Sequence, residues 1–492
     1  MIFRGDWTGT LAELFGEREA IFEVSSGRRL SYLDLARATD EAARLLVDLG
    51  VERGERVAVL AHNRLETLLL MFATARLGAI FVPLNWRLAQ PELEFLLDDC
   101  EPRALFFDEE HAHLAGRLCG PRGVSSLSLD WKEGPAGPAP AQVAIDADDP
   151  WMILYTSGTT GHPKGALIPH RQVAYNALNT MVALDLTSAD RTVTYTPLFH
   201  TGALHVLTTP LLCKGGSIVL TDGFDADQVL RLSAEERCTL LFGVPTTFEM
   251  MAETESFTAL ELDTVRVALC GGAPCPPALI ERYNARGIVF KQGYGLTEVG
   301  PNCLNLPEAE AVRRAGSAGR PNLQILARVL GEGGLVEGAG RGELALAGPC
   351  VFLGYWRRPD ANRACFTEEG YFLTGDVVER DAEGWYTIVD RAKDMFISGG
   401  ENVYPAEVEK VLSSHPAVRA CAVVGIPDPR WGEVGRAYLE ARSEESAVEG
   451  AELRTWLKER LATYKVPKEY VVVEALPRNP SGKIMKHVLG VA

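Results

Sequence analysis

Between residues 31 and 108 the chain switches repeatedly between two apolar periods, and that alternation restricts it to few folds. "SYLDLARATDEAARLLVDLG" spaces its apolar residues as a helix and stops on Gly50, and "RVAVLAHN" is a short apolar strand. "RLETLLLMFATARLG" follows as a helix, for which Asn63 is the expected N-cap with Glu66 three residues on. Next come "AIFVPLN" as strand, "PELEFLLDD" as helix and "RALFFD" as strand. Short β-rich runs separated by helices predict a parallel sheet with helices packed on it.

The most apolar run, residues 67–85, is broken by Arg76 and Pro83, so it reads as helix, turn and strand rather than a membrane span. With 492 residues the chain is too long for one ordinary core, and more than one domain is expected. The net charge of -17 disfavours nucleic acid, which needs a basic face, but leaves room for a small polyanion in a locally basic pocket. Ten scattered cysteines without a CxxC pair or zinc spacing read as reduced thiols, and "MIFRGDWTGT" has no apolar signal core, so a cytoplasmic location is expected.

Residues 131–150 are rich in Pro, Gly and Ala and predict a surface connection. Strands then recur at "WMILYT", "TVTYTPLFH", "SIVLTDG", "CTLLFGVP", "VRVALCGGAP" and "IVFKQGYGLTE", several ending in Gly- or Pro-rich turns. In open α/β sheets ligands gather at the carboxyl ends of strands. From about 340 the texture is more β-rich. After Asp390 about a hundred residues suffice for a small α+β domain.

"YTSGTTGHPKG" (155–165) sets four hydroxyls, three glycines and Lys164 in one loop. A plain turn would explain the glycines. A phosphate cradle would explain all of it, since backbone N–H groups and hydroxyls donate to phosphate oxygens and a lysine offsets charge. It is not the GxxxxGK[ST] pattern. In "QGYGLTE" Tyr294 has a face free to stack on a base, with Thr297 and Glu298 beside it offering oxygens for a phosphate and its Mg²⁺; a strand end with a surface Glu is the plainer alternative. Asp376 in "YFLTGDVV" suits two ribose hydroxyls or a simple Asx-type turn. Taken singly, Lys483 in "PRNPSGK" is a solvated lysine and His200 in "TPLFHTG" a core histidine.

Taken together, "YTSGTTGHPKG", "QGYGLTE", "YFLTGD", "DRAKDMFISGGENVYPAEVE" and "PRNPSGK", in that order, closely resemble the acyl-adenylate-forming superfamily, nearest its fatty-acid and aryl-acid CoA ligases. The resemblance spans essentially the whole chain. It implies an α/β fold with a large N-terminal domain of β/α subdomains and a β-rich subdomain, residues 1–389. A small mobile α+β domain, 390–492, would follow a hinge near 390–393, placed at Lys393, with the active site between the two.

The resemblance also implies the reaction and its residues. A carboxylate attacks the α-phosphate of Mg·ATP to give acyl-AMP and pyrophosphate, and coenzyme A then displaces AMP. Thr156, Ser157, Gly158, Thr159, Thr160, Gly161 and Lys164 would hold the β- and γ-phosphates. Thr297 would contact the α-phosphate and Glu298 ligate Mg²⁺. Tyr294 and Gly295, with Gly271, Gly272 and Ala273 opposite, would flank the adenine; Asp376 would bind the ribose, supported by Arg391. Lys483 would bridge carboxylate and α-phosphate in the first step, then withdraw as the small domain turns and brings Gly399 and Gly400 to line the coenzyme A tunnel. Cysteines need take no part.

Amino-acid-activating relatives carry an aspartate where this chain has "PLFHTGALHV", so an amino acid is not expected. The expected acyl pocket uses His200 as a gate to the carboxylate end, with Thr201, Ala203, Leu204, Phe242, Val244, Gly293, Leu296 and Val299. No arginine in these segments could hold a second carboxylate. An apolar monocarboxylic acid follows: fatty acids first, cinnamate-type aryl acids second, with o-succinylbenzoate or a luciferase-like oxygenase as further alternatives. Partners are the acid, ATP and coenzyme A. Peripheral membrane contact is compatible with this reading, and a dimer is the oligomer expected.

Overall fold

The computed structural model of the chain describes residues 2–131, 138–141, 143–156, 163–272, 275, 277–391, 395–442, 450–477, 484 and 486–491. It divides into two compact units. The first comprises Met1–Leu84, Cys100–Leu154 and Gly165–Asp390, the second Asn85–Asp99, Tyr155–Lys164 and Arg391–Ala492.

In the first unit the helix Tyr32–Asp48 opens with a full capping box: Asp34 N donates to Ser31 Oγ, and Ser31 N to the Asp34 carboxylate, both at 3.1 Å. Leu65–Leu77 is helical and buried along its whole length. The N-cap expected at Asn63 is not there. Asn63 Nδ2 donates to Thr196 O and its Oδ1 accepts from Leu198 N, each at 2.9 Å. A distant loop has claimed the side chain, and Glu23 caps instead, accepting from Leu65 N at 2.8 Å. No helix among the described residues is long and apolar enough to cross a membrane.

The strand runs assemble into two large sheets. One has six strands in the order Lys164–Pro169, Pro150–Thr156, Ile80–Pro83, Arg56–Leu60, Ala104–Phe107, Ser125–Ser128. The other has nine, with a parallel centre formed by Val289–Leu296, Val267–Cys270, Leu240–Gly243, Arg191–Thr194, Ser217–Leu220 and Glu19–Glu23. The β-rich stretch beyond residue 325 forms a five-stranded sheet around Gly340–Ala347 and Phe372–Arg380, which pair antiparallel.

The second unit packs the helices Pro405–Leu412 and Gly450–Lys458 on a sheet centred on Gly432–Ala441 and Val418–Asp428, over a core that includes Val408, Leu412, Leu439 and Leu453. Its segment Asn85–Asp99 is tied in by charge. The buried Lys465 Nζ donates to Glu92 Oε1 at 2.6 Å and Glu407 Oε1 at 2.7 Å, while Glu92 Oε2 accepts from Ala462 N at 2.7 Å. Loss of this lysine would strand two buried carboxylates, at a cost of about 3–5 kcal/mol.

All ten cysteines are free thiols; eight are buried, and Cys213 and Cys365 are half-buried. Burial pushes the thiols of Cys119 and Cys421 up to about 11 and those of Cys213, Cys238 and Cys350 up to about 12. They stay protonated at neutral pH and are poor nucleophiles.

Candidate active site

Three parallel strand ends position Phe242, Gly271 and Gly293 of the first unit. The registers Gly243↔Cys270 and Cys270↔Gln292 set Gly271 and Gly293 side by side, one step beyond the paired residues. A methyl group on Gly271 would lie 3.4 Å from the Phe242 ring and 3.9 Å from Gly293 O, and one on Gly202 would lie 3.3 Å from the same ring. At Gly272, φ +82°, an added methyl group would lie 3.5 Å from the Val244 side chain. The Phe242 ring thus borders two positions, Gly202 and Gly271, that carry no side chain. Past Thr201, the segment Ala203–Thr208 is π-helical with Ala203 and Leu204 buried, a distortion frequent at functional sites. His200 is half-buried, its ring against Phe199 at 4.5 Å.

Thr297 and Glu298 occupy the tip of a tight hairpin. Leu296 pairs with Gly300, leaving a three-residue loop in which Val299 N donates to Leu296 O, and Gly300 takes φ +83°. Gly295 is required here, because a Cβ would fall 2.1 Å from the Pro301 carbonyl carbon. Glu298 is held from behind. Its Oε1 accepts from Tyr355 Oη at 2.8 Å and its backbone O from Phe352 N at 2.8 Å, while Thr297 O accepts from Gln172 Nε2 at 2.8 Å. A half-buried carboxylate fixed at a loop tip beside a hydroxyl is a hard-oxygen donor set, which fits Mg²⁺.

Asp376 is buried at 1% exposure and accepts from Tyr294 Oη at 2.6 Å. The residues expected at the ribose and the base therefore meet, although 82 positions separate them. Burial first, and then Asp376, hold the Tyr294 phenol well above its usual range, so it donates throughout the physiological pH range. The turn before Asp376 is pinned by Gly375 N donating to Glu343 Oε1 at 2.9 Å and Asp376 N to Thr374 Oγ1 at 3.1 Å.

In the second unit Thr156 Oγ1 donates to Lys164 O at 3.3 Å, joining the two ends of the segment expected to hold phosphate. Gly399 and Gly400, at φ +59° and +84°, form a two-residue hairpin turn between Phe396–Ser398 and Glu401–Val403. Ser157, Gly158, Thr159, Thr160, Gly161, Ala273, Lys393 and Lys483 lie outside the described residues. Arg391 ends the strand Tyr386–Arg391, its side chain outside the described part.

Sequence reasoning did not find Tyr355, Gln172 or Lys291. The first two act from 57 and 125 positions away. Replacing Tyr355 by Phe should raise the Mg²⁺ concentration needed for half-maximal activity by about tenfold, the worth of one hydrogen bond to a charged group. A magnesium titration checks it, with a melting curve to confirm an intact fold. Lys291 is buried on the strand leading to Tyr294, its Nζ donating to Asn305 Oδ1 at 2.9 Å and Leu306 O at 2.8 Å. Burial pulls its ammonium down to about 8. The unfolded chain therefore binds more protons between pH 8 and about 10.5, and stability rises with pH across that window. Relative to Lys291→Met, the native protein should gain up to about 3 kcal/mol from pH 8 to 10.5 in chemical denaturation.

The chain matches the family model "AMP-binding enzyme" over residues 10–356 and "AMP-binding enzyme C-terminal domain" over 407–483, and it belongs to that acyl-adenylate-forming family of AMP-forming acid–thiol ligases. Among its relatives, it is 42% identical over 485 residues to feruloyl-CoA synthase of an Amycolatopsis species, covering 98% of this chain and 97% of that one. It is 38% identical over 481 residues to the long-chain-fatty-acid–CoA ligase FadD13 of Mycobacterium tuberculosis, covering 96% and 94%. Among solved structures, a double mutant of o-succinylbenzoate CoA synthetase from Bacillus subtilis, bound with its product analogue OSB-NCoA, superposes with a TM-score of 0.92 at 32% identity, covering 99% and 98%.

Proposed function

We propose that this acyl-CoA ligase activates an apolar monocarboxylic acid with Mg·ATP and transfers the acyl group to coenzyme A. The meeting of Tyr294 with Asp376, on the unit that also carries the Glu298 hairpin, is the observation that carries the nucleotide half of the reading. Asp376 takes the ribose hydroxyls and Tyr294 keeps one face for the adenine, opposite Gly271, Gly272 and Ala273. Thr297 donates to the α-phosphate. Glu298, held by Tyr355, is the residue that would hold Mg²⁺, which when bound offsets phosphate charge. The loop 156–161 with Lys164 holds the outgoing pyrophosphate, and Lys483 neutralises the carboxylate and α-phosphate as they meet. Gly399 and Gly400 border the pantetheine path. The division at 389/390, the hinge at Lys393, a cytoplasmic location and a dimer belong to the same proposal; light scattering tests the last.

For the acid, Phe242 between Gly202 and Gly271 supports a flat or slender apolar chain. Fatty acids and cinnamate-type aryl acids both satisfy it, and the similarity to feruloyl-CoA synthase over 98% of the chain favours keeping the aryl reading level with the aliphatic one. Pyrophosphate release over a panel from butyrate to palmitate, with ferulate, benzoate and o-succinylbenzoate, each with and without coenzyme A, decides between them. Dependence on coenzyme A is expected. Equal turnover without it would remove the ligase reading.

A further inference from the structure

The six-stranded sheet carries a second constellation at its carboxyl edge. The chain passes from Arg56–Leu60 to Ile80–Pro83 on one side and then to Ala104–Phe107 on the other, and both pairings are parallel. The strand order reverses at Arg56–Leu60. In open α/β sheets, the crevice beyond the carboxyl ends at such a reversal is where ligands are held. Leu60 and Phe107 are register partners, so the two strands end level. His62 lies two residues past the first end; Asp108 follows the second directly, with His111 in the short turn Glu109–His111.

These three converge. His62 Nδ1 is 3.0 Å from one Asp108 oxygen and His111 Nδ1 is 2.5 Å from the other. One ligand atom from each residue lies within 4.8 Å of the other two. Asp108 and His111 are buried, while the His62 side chain is 25% exposed to a cleft that Glu109, Glu110 and Asp222 also line. Glu110 Oε2 stands 3.8 Å from His62 Nδ1. Arg64 also lines the cleft, but its charge is taken up by Asp130 at 2.7 Å.

Asp108 also caps the turn, accepting from the backbone N–H groups of His62 at 2.8 Å and His111 at 3.1 Å. Capping accounts for one carboxylate. It does not account for two imidazoles drawn onto that carboxylate inside a crevice with three further acids.

We propose that this crevice is a divalent transition-metal site of the zinc type, ligated by His62, His111 and Asp108, with Glu110 or water completing four-coordination. Imidazole with carboxylate suits zinc, cobalt and nickel, whereas Mg²⁺ asks for an octahedron of oxygens. Ligands of a tetrahedral zinc stand about 3.3 Å apart, so the two imidazole–carboxylate contacts open by under about 1 Å to admit the ion while the span of the three ligand atoms, within 4.8 Å, draws in. The backbone bonds hold Asp108 in place while it does so. Each ring then carries its proton on Nε2 and turns Nδ1 to the metal. The ion would clasp two strand ends.

Titration of the metal-stripped full-length protein with Zn²⁺ alone, by calorimetry, tests this. One ion per chain should bind with micromolar or tighter affinity, weakened at least about tenfold in both His62→Gln and His111→Gln. Co²⁺ should give tetrahedral visible bands in the native protein that both variants lose. Absence of saturable binding, or binding unchanged in both variants, overturns the site. Should His111→Gln fail to fold, the more exposed His62→Gln decides alone.

Discussion

Replacing Lys483 by alanine is expected to slow acyl-AMP formation by about 10²–10³-fold, the range for removing one preorganised charge-stabilising donor. Two anions must approach each other in the first step, and negative charge builds on the oxygens between them. A single ammonium placed there acts on the transition state more than on either substrate bound alone, so kcat should fall while KM for the acid changes little. The second step has no such convergence of anions. Synthetic acyl-AMP and coenzyme A should still give thioester at close to the native rate in the variant. Measuring both half-reactions on one preparation separates a missing charge from a damaged fold. Native pyrophosphate release in Lys483→Ala would remove the mechanism proposed for the first step.

The second large effect is expected at Asp376. Its alanine variant should raise KM for ATP by about 10–100-fold, because a charged acceptor for ribose hydroxyls is worth about 1.5–3 kcal/mol. Tyr294 would also lose its partner, so Asp376→Asn, which keeps an acceptor for the phenol, is the companion variant. It should retain the melting temperature and still lose ATP affinity. Tyr294→Phe preserves the stacking face and should shift KM by no more than about threefold. If Tyr294→Phe were as damaging as Asp376→Ala, the pair would be a structural tie and the ribose assignment would fall.

Much of this was legible in the chain because periodicity survives folding. The runs from Tyr32 to Phe107 became the helices and strands their spacing required, and Thr297 and Glu298 stand out since a hairpin tip needs glycines around it. What escaped was whatever long-range pairing decides. Asn63 has every local mark of an N-cap, yet its amide serves a loop 133 residues away. Tyr355 has no motif of its own; it matters because Glu298 needs a donor behind it. His62 and Asp108 lie 46 positions apart and become neighbours only through parallel strand pairing. The grouping of Asn85–Asp99 with the C-terminal residues depends on Lys465 finding Glu92 across 373 positions, which no composition shift announces.

The shielding of the ten cysteines has a practical corollary. Colour-forming thiol reagents respond to thiolates that they can reach, and eight of the ten thiols in this chain are buried. The one abundant reactive thiol in a reaction mixture would be the acceptor substrate itself. Its disappearance can be read in timed, quenched aliquots against a low protein background, without coupling enzymes, for every acid in the panel.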